Sequence, residues 1–339
     1  MSRRTTTAAA AGLSVTLLAA CSPSLEPGTN EGDVLHLALN QTESHPSYIA
    51  LQHWGEFLEE ETDGRWTIDV YPNETLGAQA EAMQLVSDGS VEMAIVSGPQ
   101  LENLNRDFIA LNLPTTFDDI DHQMRVVHDE TIVGDLYASL EETNNFTVLG
   151  GFTQGSRSVY TTFGPVESPA DLAGHKLRVQ ESELNIAMAE ALGASATPMA
   201  YGELYTGLQA GVVDAAENNE VSYASQRHYE VAPYWTYTNH LVGLDYLIIN
   251  SDMLASMTEA DRAIFDEGWE QARAEHVELW LEATEEAVAT AEAGGATFYE
   301  VDDSVFFTAL EPLADRFLTT DEQWEIYDAA RAASTAEPE

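Results

Sequence analysis

The chain has 339 residues, of which 58 are Asp or Glu and 13 are Lys or Arg, a formal charge of −45. A field of that sign repels phosphate backbones and anionic headgroups, which argues against nucleic acid and bare anionic membranes as partners. A single Cys excludes an internal disulfide, a zinc cluster and a CxxC redox pair, while 44% hydrophobic residues are enough to fill the core of two lobes or one large domain.

Arg3 and Arg4 open the chain, and an uncharged stretch, 5–20, follows, most apolar over 11–20. A positive start, a short apolar segment and small residues before a cut describe a secretory leader over residues 1–20. It is shorter than the roughly 20 apolar residues of a spanning helix. The only Cys follows directly in Leu18-Ala19-Ala20-Cys21, which resembles a bacterial lipobox. The resemblance implies that the Cys21 thiol is acylated and that Cys21 begins the mature chain. An ordinary leader, cut nearby to leave a free thiol, is the competing reading. The rest of the segment 21–33, with Pro23, Pro27, Gly28 and Gly32, reads as a flexible tether.

Removal of residues 1–20 takes two Arg and no acid, leaving 11 basic against 58 acidic side chains, a formal −47. Acyl chains supply the membrane attachment that such a charge opposes. Lys176 is the only lysine. That scarcity beside so many acids points to adaptation to high external salt, where at about 1 M the screening length is about 3 Å. An extracytoplasmic protein of an ordinary acidic proteome is the alternative.

In the body, 34–39 is a short apolar run of the kind that forms a buried strand. A helix is predicted over 47–62 from the spacing of Ala50, Trp54, Phe57 and Leu58, with Gly64 to end it. Alternation of Trp66, Ile68 and Val70 predicts a strand, 81–87 a helix and 93–96 another buried strand. Strand, helix, strand, helix, strand argues for a parallel α/β lobe. The pattern resumes after Gly150-Gly151. Ser168-Pro169-Ala170-Asp171 opens a short helix, 176–179 is a strand, and 183–192 is a helix closed by Gly193. A helix follows over 202–210, then a strand edge reaching Glu217-Asn218, and 241–250 is a strand again. Thr258 caps a helix running to about residue 293, which at roughly 1.5 Å per residue spans about 50 Å, enough to brace two lobes. Residues 337–339 read as a frayed end.

The nine His form no HExxH and no Cys/His frame, and Asp118-Asp119-Ile120-Asp121-His122 lacks the Gly and terminal Glu of an EF-hand loop. No metal and no cofactor are expected. Gly150-Gly151-Phe152-Thr153-Gln154-Gly155 is not a phosphate loop, and no GxSxG elbow occurs. No motif argues for an enzyme. The informative residues are rare ones. Arg157 and Arg178 lie in or beside strands, 21 residues apart. An arginine there is either a structural salt bridge or a planar fork that grips a carboxylate through two charge-assisted hydrogen bonds.

The surrounding residues shift that balance. Leu177-Arg178-Val179, Leu192-Gly193-Ala194 and the run Glu203-Leu204-Tyr205-Thr206-Gly207-Leu208-Gln209-Ala210-Gly211-Val212-Val213-Asp214-Ala215-Ala216-Glu217-Asn218 resemble the core motif of the DctP-type solute-binding proteins of tripartite ATP-independent periplasmic (TRAP) transporters. Tyr71-Pro72-Asn73-Glu74-Thr75-Leu76-Gly77 and Leu113-Pro114 fit two further family segments, so the resemblance covers nearly all of 34–335. It implies an α/β, two-lobed periplasmic-binding-protein-like fold closing on a ligand, with one long helix spanning both lobes. Lobe I would comprise 34–154 plus 243–283 and lobe II 155–242 plus 284–339. By motif position Arg178 is the carboxylate-clamping arginine, Asn218 bonds the same ligand, and Arg157 is a second arginine. Tyr201 lines the cleft and Asn40 lies in the turn after the first strand. Asn239 and His240 are further contacts, and Phe152 and Trp235 are candidates to shelter the ligand's apolar body.

Asn219 stands where the family carries a proline, which bears on the loop beside Asn218. Positions near Ser97 and Gln100 are uncharged and offer no partner for an amine or a second carboxylate. The expected protein is a monomeric, extracytoplasmic, lipid-anchored receptor. It delivers a small organic acid (dicarboxylate, oxo or hydroxy acid, sugar acid or ectoine) to TRAP membrane subunits. A sensory protein of the same fold and a secreted hydrolase are the competing classes.

Overall fold

The computed structural model describes residues 33–334. The expected leader, Cys21, the tether up to residue 32 and the end of the chain from 335 lie outside the described residues. Asp33, assigned to the tether from sequence, already belongs to the first strand.

Among the described residues nine strands form one sheet: β1 (Asp33–Ala38), β2 (Trp66–Tyr71), β3 (Met93–Ser97), β4 (Phe146–Thr161), β5 (Lys176–Val179), β6 (Ser195–Pro198), β7 (Ala215–Asn218), β8 (Tyr234–Asn250) and β9 (Thr297–Glu300). Their order is β2-β1-β3-β8-β4-β7-β5-β6, with β9 beside β8. Two parallel α/β sets, β2-β1-β3 and β7-β5-β6, flank the central antiparallel pair β4–β8. The early elements follow the predicted order. The helix Pro46–Glu61 takes its cap from the His45 ring, which accepts from the Ser47 amide, and carries Pro at its start. It buries Ala50, Leu51, Trp54 and Leu58.

The central pair is where the fold departs from the sequence reading. β8 begins at Tyr234, seven residues ahead of the predicted 241, and β4 is a 16-residue strand through the glycines at 150, 151 and 155. Their ladder is interrupted by register shifts, one of them between Thr153 and Ser156. Gly155 sits in that shift with φ +60, and a Cβ there would lie 2.6 Å from Trp280 Nε1.

The helix Glu259–Ala293 has 35 residues, about 52 Å at 1.5 Å per residue. Its N-cap Thr258 accepts from the Asp261 amide at 3.1 Å. Phe265, Trp269 and Ala272 pack with Trp54 and Leu58 of the β1–β3 side. Further along, Trp280 and Ala287 pack with Val221 and Ala224, and Ala291 joins the core of Tyr160, Tyr223 and Trp235. One helix thus braces both halves. Among the described residues no helix is long and apolar enough to cross a membrane.

Candidate functional site

β5 explains how an arginine comes to be buried. Its pattern is one exposed residue followed by three buried ones. Leu177 and Val179 face the helix-covered core, so strand alternation turns Arg178 to the opposite face. β7 lies beside β5, pairing Ala216 with Arg178, and β4 lies beside β7, pairing Ser158 with Asn218. Arg178, Asn218 and Arg157 therefore sit on three adjacent strands, with Arg178 and Asn218 toward the carboxyl ends of theirs, where α/β sheets hold ligands. These residues wall a cavity, with Asn40, Tyr201 and Glu74 also on its surface.

The two arginines, 2% and 3% exposed, are the only buried ones among the described residues, yet they are used differently. All five N–H groups of Arg157 have protein acceptors. Nε and Nη2 grip the Glu217 carboxylate at 2.6 and 2.8 Å, Nη2 also donates to the Glu217 carbonyl at 3.0 Å, and Nη1 donates to Asn218 Oδ1 at 3.0 Å and to Gln154 Oε1. Burial alone would raise the Glu217 carboxyl, but the charge of Arg157 and the His240 ring hold it down to about 2. Arg157 is thus saturated and neutralised.

Arg178 is neither. Its Nε and Nη2 donate to the Met199 carbonyl at 3.0 and 2.8 Å, leaving Nη1 and the second Nη2 proton without an acceptor among the described residues. No carboxylate there is within ion-pair distance of it. Its guanidinium carbon lies 5.9 Å from the Tyr201 ring centroid. Burial lowers the guanidinium's pKa, partly offset by the more distant Glu217 charge. A desolvated cation with three free donors and no counter-ion has the chemistry to receive an anion.

Asn218 lines the same cavity. Its Oδ1 accepts from Arg157 Nη1, from the Asn219 amide at 3.0 Å and from Asn219 Nδ2 at 3.2 Å, so the side-chain NH2 is the part left for the cavity. Asn219 also accepts from the Ser222 amide at 2.7 Å as N-cap of the helix Glu220–Ser225. The residue in place of proline thus supplies an N–H that proline lacks. Asn40 brings an Oδ1 that is buried and unpartnered, as is Oε1 of neighbouring Gln41.

Four sequence candidates lie elsewhere. Phe152 faces the long helix, its ring stacked on His276 at 4.0 Å, because strand alternation sends it to the core face. Trp235 is fully buried, stacked on Tyr160 at 5.7 Å. Asn239 accepts from Ser156 Oγ at 3.1 Å and donates to Asp303 at 3.2 Å, in a separate groove with Leu281 and Phe307. His240 stands behind Glu217, with Nε2 3.7 Å from its Oε2, and is separated from the cavity by the Glu217–Arg157 pair. The sequence reading missed Glu74, Gln79, Gln154, Gln180 and Glu217, all polar residues whose roles depend on distant partners. Ser97 and Gln100 do line the cavity, but Glu74 adds a charge to a cavity whose Ser97 and Gln100 positions were read as uncharged. No group of His, Cys, Asp and Glu able to hold a metal occurs among the described residues.

The halves meet around the cavity. Asn103 Nδ2 donates to the Glu181 carbonyl at 2.7 Å, Arg106 pairs with Glu183 at 2.8 Å, and Gln41 Nε2 reaches Ser222 Oγ at 3.4 Å. These three contacts bridge the cleft.

The profile of the family described as "Bacterial extracellular solute-binding protein, family 7" (DctP) matches residues 37–321. A solute-binding protein of Chromohalobacter salexigens is 36% identical over 280 residues, covering 81% of this chain and 82% of that one. A TRAP periplasmic solute-binding protein of Anaerococcus prevotii, solved with D-glucuronate bound, superposes with a TM-score of 0.85 at 35% identity, covering 88% of this chain and 97% of that one. A second, from a Bradyrhizobium species with D-galacturonate bound, gives 0.84 at 30% identity over 88% of this chain and all of that one.

Proposed function

The chain belongs to family 7 of the bacterial extracellular solute-binding proteins, the DctP family of TRAP transport, and from that premise we propose that its solute is a sugar acid whose carboxylate is held by Arg178. The protein captures a carboxylate solute outside the cytoplasm and delivers it to TRAP membrane subunits. The carrying observation for the residue assignment is the buried Arg178 guanidinium, with free donors and no counter-ion. A ligand carboxylate there receives parallel charge-assisted hydrogen bonds, each contributing about 1.5–3 kcal/mol. The Asn218 NH2 donates to the same carboxylate, and Tyr201 packs beside it. Asn40 and Gln41 offer acceptors to hydroxyl groups.

The sugar-acid class rests on two supports: the uronates bound by the similar structures and a cavity wall rich in amide side chains, each both donor and acceptor. The lobes, 34–154 plus 243–283 and 155–242 plus 284–339, hinge at the β4–β8 register shift beside Gly155. Ligand favours the closed form by its preferential contact with it. Cys21 carries the lipid anchor, and the protein acts by binding, without turnover.

The test is thermal unfolding of the protein starting after Cys21, in high salt, against uronates, aldonates, C4-dicarboxylates and ectoine. A ligand at 100 times its Kd adds about 2.7 kcal/mol. The expected result is a shift with a uronate that disappears in Arg178→Ala, whose affinity falls about 100-fold or more while the fold persists. Unchanged affinity in Arg178→Ala sinks the assignment. Mass spectrometry of denatured wild type identifies any copurified acid.

A further inference from the structure

Glu74 comes from the turn between β2 and the helix Gln79–Ser87, in a backbone that ordinary residues avoid. Asn73 and Glu74 both have positive φ, 57° and 55°. The turn is fastened to the segment after β1: the Asn73 amide donates to the Gln41 carbonyl at 2.9 Å and the Glu74 amide to the Leu39 carbonyl at 3.1 Å. So anchored, the side chain crosses the cleft, where the Gly202 amide donates to its carboxylate. Only glycine permits that approach, because a Cβ at position 202 would stand 2.3 Å from Glu74 Oε2. The strained turn on one side and the missing side chain on the other place a half-buried carboxylate on the wall of the cavity that Arg178 serves.

We propose that Glu74 is the specificity-determining residue of this site, restricting it to acids that carry one carboxylate and present hydroxyl groups to the opposite wall. This rests on the carboxylate reading of Arg178 above. The cavity offers one cation with donors to spare, since Arg157 is consumed by Glu217. A ligand's first carboxylate takes Arg178. A second would enter a water-poor space without a cation of its own and face Glu74, a like charge. A hydroxyl suits the same place, donating to Glu74, to Asn40 Oδ1 or to Gln41 Oε1, the last two being buried acceptors with no partner. Burial raises the Glu74 carboxyl, while the Gly202 amide and the Arg178 charge oppose the rise. An ammonium would also satisfy Glu74, but the lining has a single aromatic, Tyr201, already beside Arg178, and so no cage for a quaternary nitrogen.

The decisive experiment is calorimetric titration of wild type and Glu74→Gln with D-glucuronate, D-glucarate, succinate and ectoine in high salt, with melting curves as the folding control. Glucarate carries a second carboxylate in place of the anomeric carbon of glucuronate and is therefore an open chain, so the effect of charge is read from each ligand's change between wild type and variant. Wild type is expected to bind glucuronate and to discriminate against both diacids. Glu74→Gln, which keeps the shape and removes the charge, is expected to bind glucarate at least about tenfold more tightly than wild type does, while its glucuronate affinity falls because a charged hydroxyl acceptor is replaced by a neutral one. Glucarate affinity that does not rise in Glu74→Gln, while glucuronate binds both proteins, overturns the role of Glu74 and leaves the carboxylate receptor standing. Tight succinate or glucarate binding by wild type also overturns it, as does preference for ectoine over glucuronate. Wild type that binds no carboxylate overturns the functional reading and this inference with it.

Discussion

On the reading proposed above, Arg157 and Arg178, on the two strands that flank β7, divide into structure and recognition. Replacing Arg157 by Ala strands the buried Glu217 carboxylate, and breaking such a pair from one side costs about 3–5 kcal/mol. Arg157→Ala is therefore expected to melt far below wild type, whereas Arg178→Ala, which removes an unpaired buried cation, keeps or raises the wild-type melting temperature. Equal losses in both variants would contradict the division. Rarity in an acidic chain made both residues legible in the sequence. The role proposed for Arg178 followed from its motif position, but that of Arg157 was not legible, because its partner lies 60 positions away and becomes a neighbour only through the β4–β7 ladder. Phe152 and Trp235 misled for a related reason: apolar character marks burial, and which face of the sheet a strand residue takes depends on register.

At the scale of elements, periodicity recovered what local sequence determines. The parallel α/β start and the long helix follow from spacing and caps. The two long central strands did not, since glycines in β4 and the polar, aromatic mixture of 234–240 in β8 are stabilised by pairing with each other rather than by propensity. Gly155, in the register shift and against Trp280, is the element-level test. Gly155→Ala brings a Cβ 2.6 Å from Trp280 Nε1 at φ +60, and the expected loss is about 1–3 kcal/mol by denaturant titration. A midpoint equal to wild type would show that the β4 bend and the long helix adjust freely.

The whole molecule is acidic outside and, in places, inside. Burial raises the carboxyls of Glu102 and Glu220 from 4.5 to about 7, and that of Asp245 from 3.8 to about 6 against the opposing Gln154 bond and Arg157 charge. A group raised in this way holds its proton in the folded state where the unfolded chain has lost it, so stability falls as pH climbs through that window. Glu217 is depressed, so its contribution is present above 4.5 and lost as pH drops toward about 2. The buried histidines His45, His128, His228 and His276 act the other way, because burial holds their rings neutral where the unfolded chain is protonated, so they withdraw stability as pH falls below about 6.5. The buried-acid effect is therefore read by difference: Glu102→Gln is expected to lose less stability than wild type between pH 5 and pH 8. A stability difference between wild type and Glu102→Gln that is the same at both pH values would refute the buried-acid assignment. The global surplus of acids acts in the same direction, and salt weakens that part alone.

The solitary charge of Arg178 also bears on timing. Closing the cleft around it without an anion strips a guanidinium of water and gives nothing back, a penalty of several kcal/mol. At about 4 kcal/mol, an idle receptor would visit the shut form about a thousandfold less often than the cost of hinge motion alone dictates. A transporter that recognises the shut shape is then seldom approached by an unloaded courier. On the reading proposed above, the cargo completes the electrostatics of its own carrier, and the arrangement that gives affinity also serves as a proofreading step before delivery.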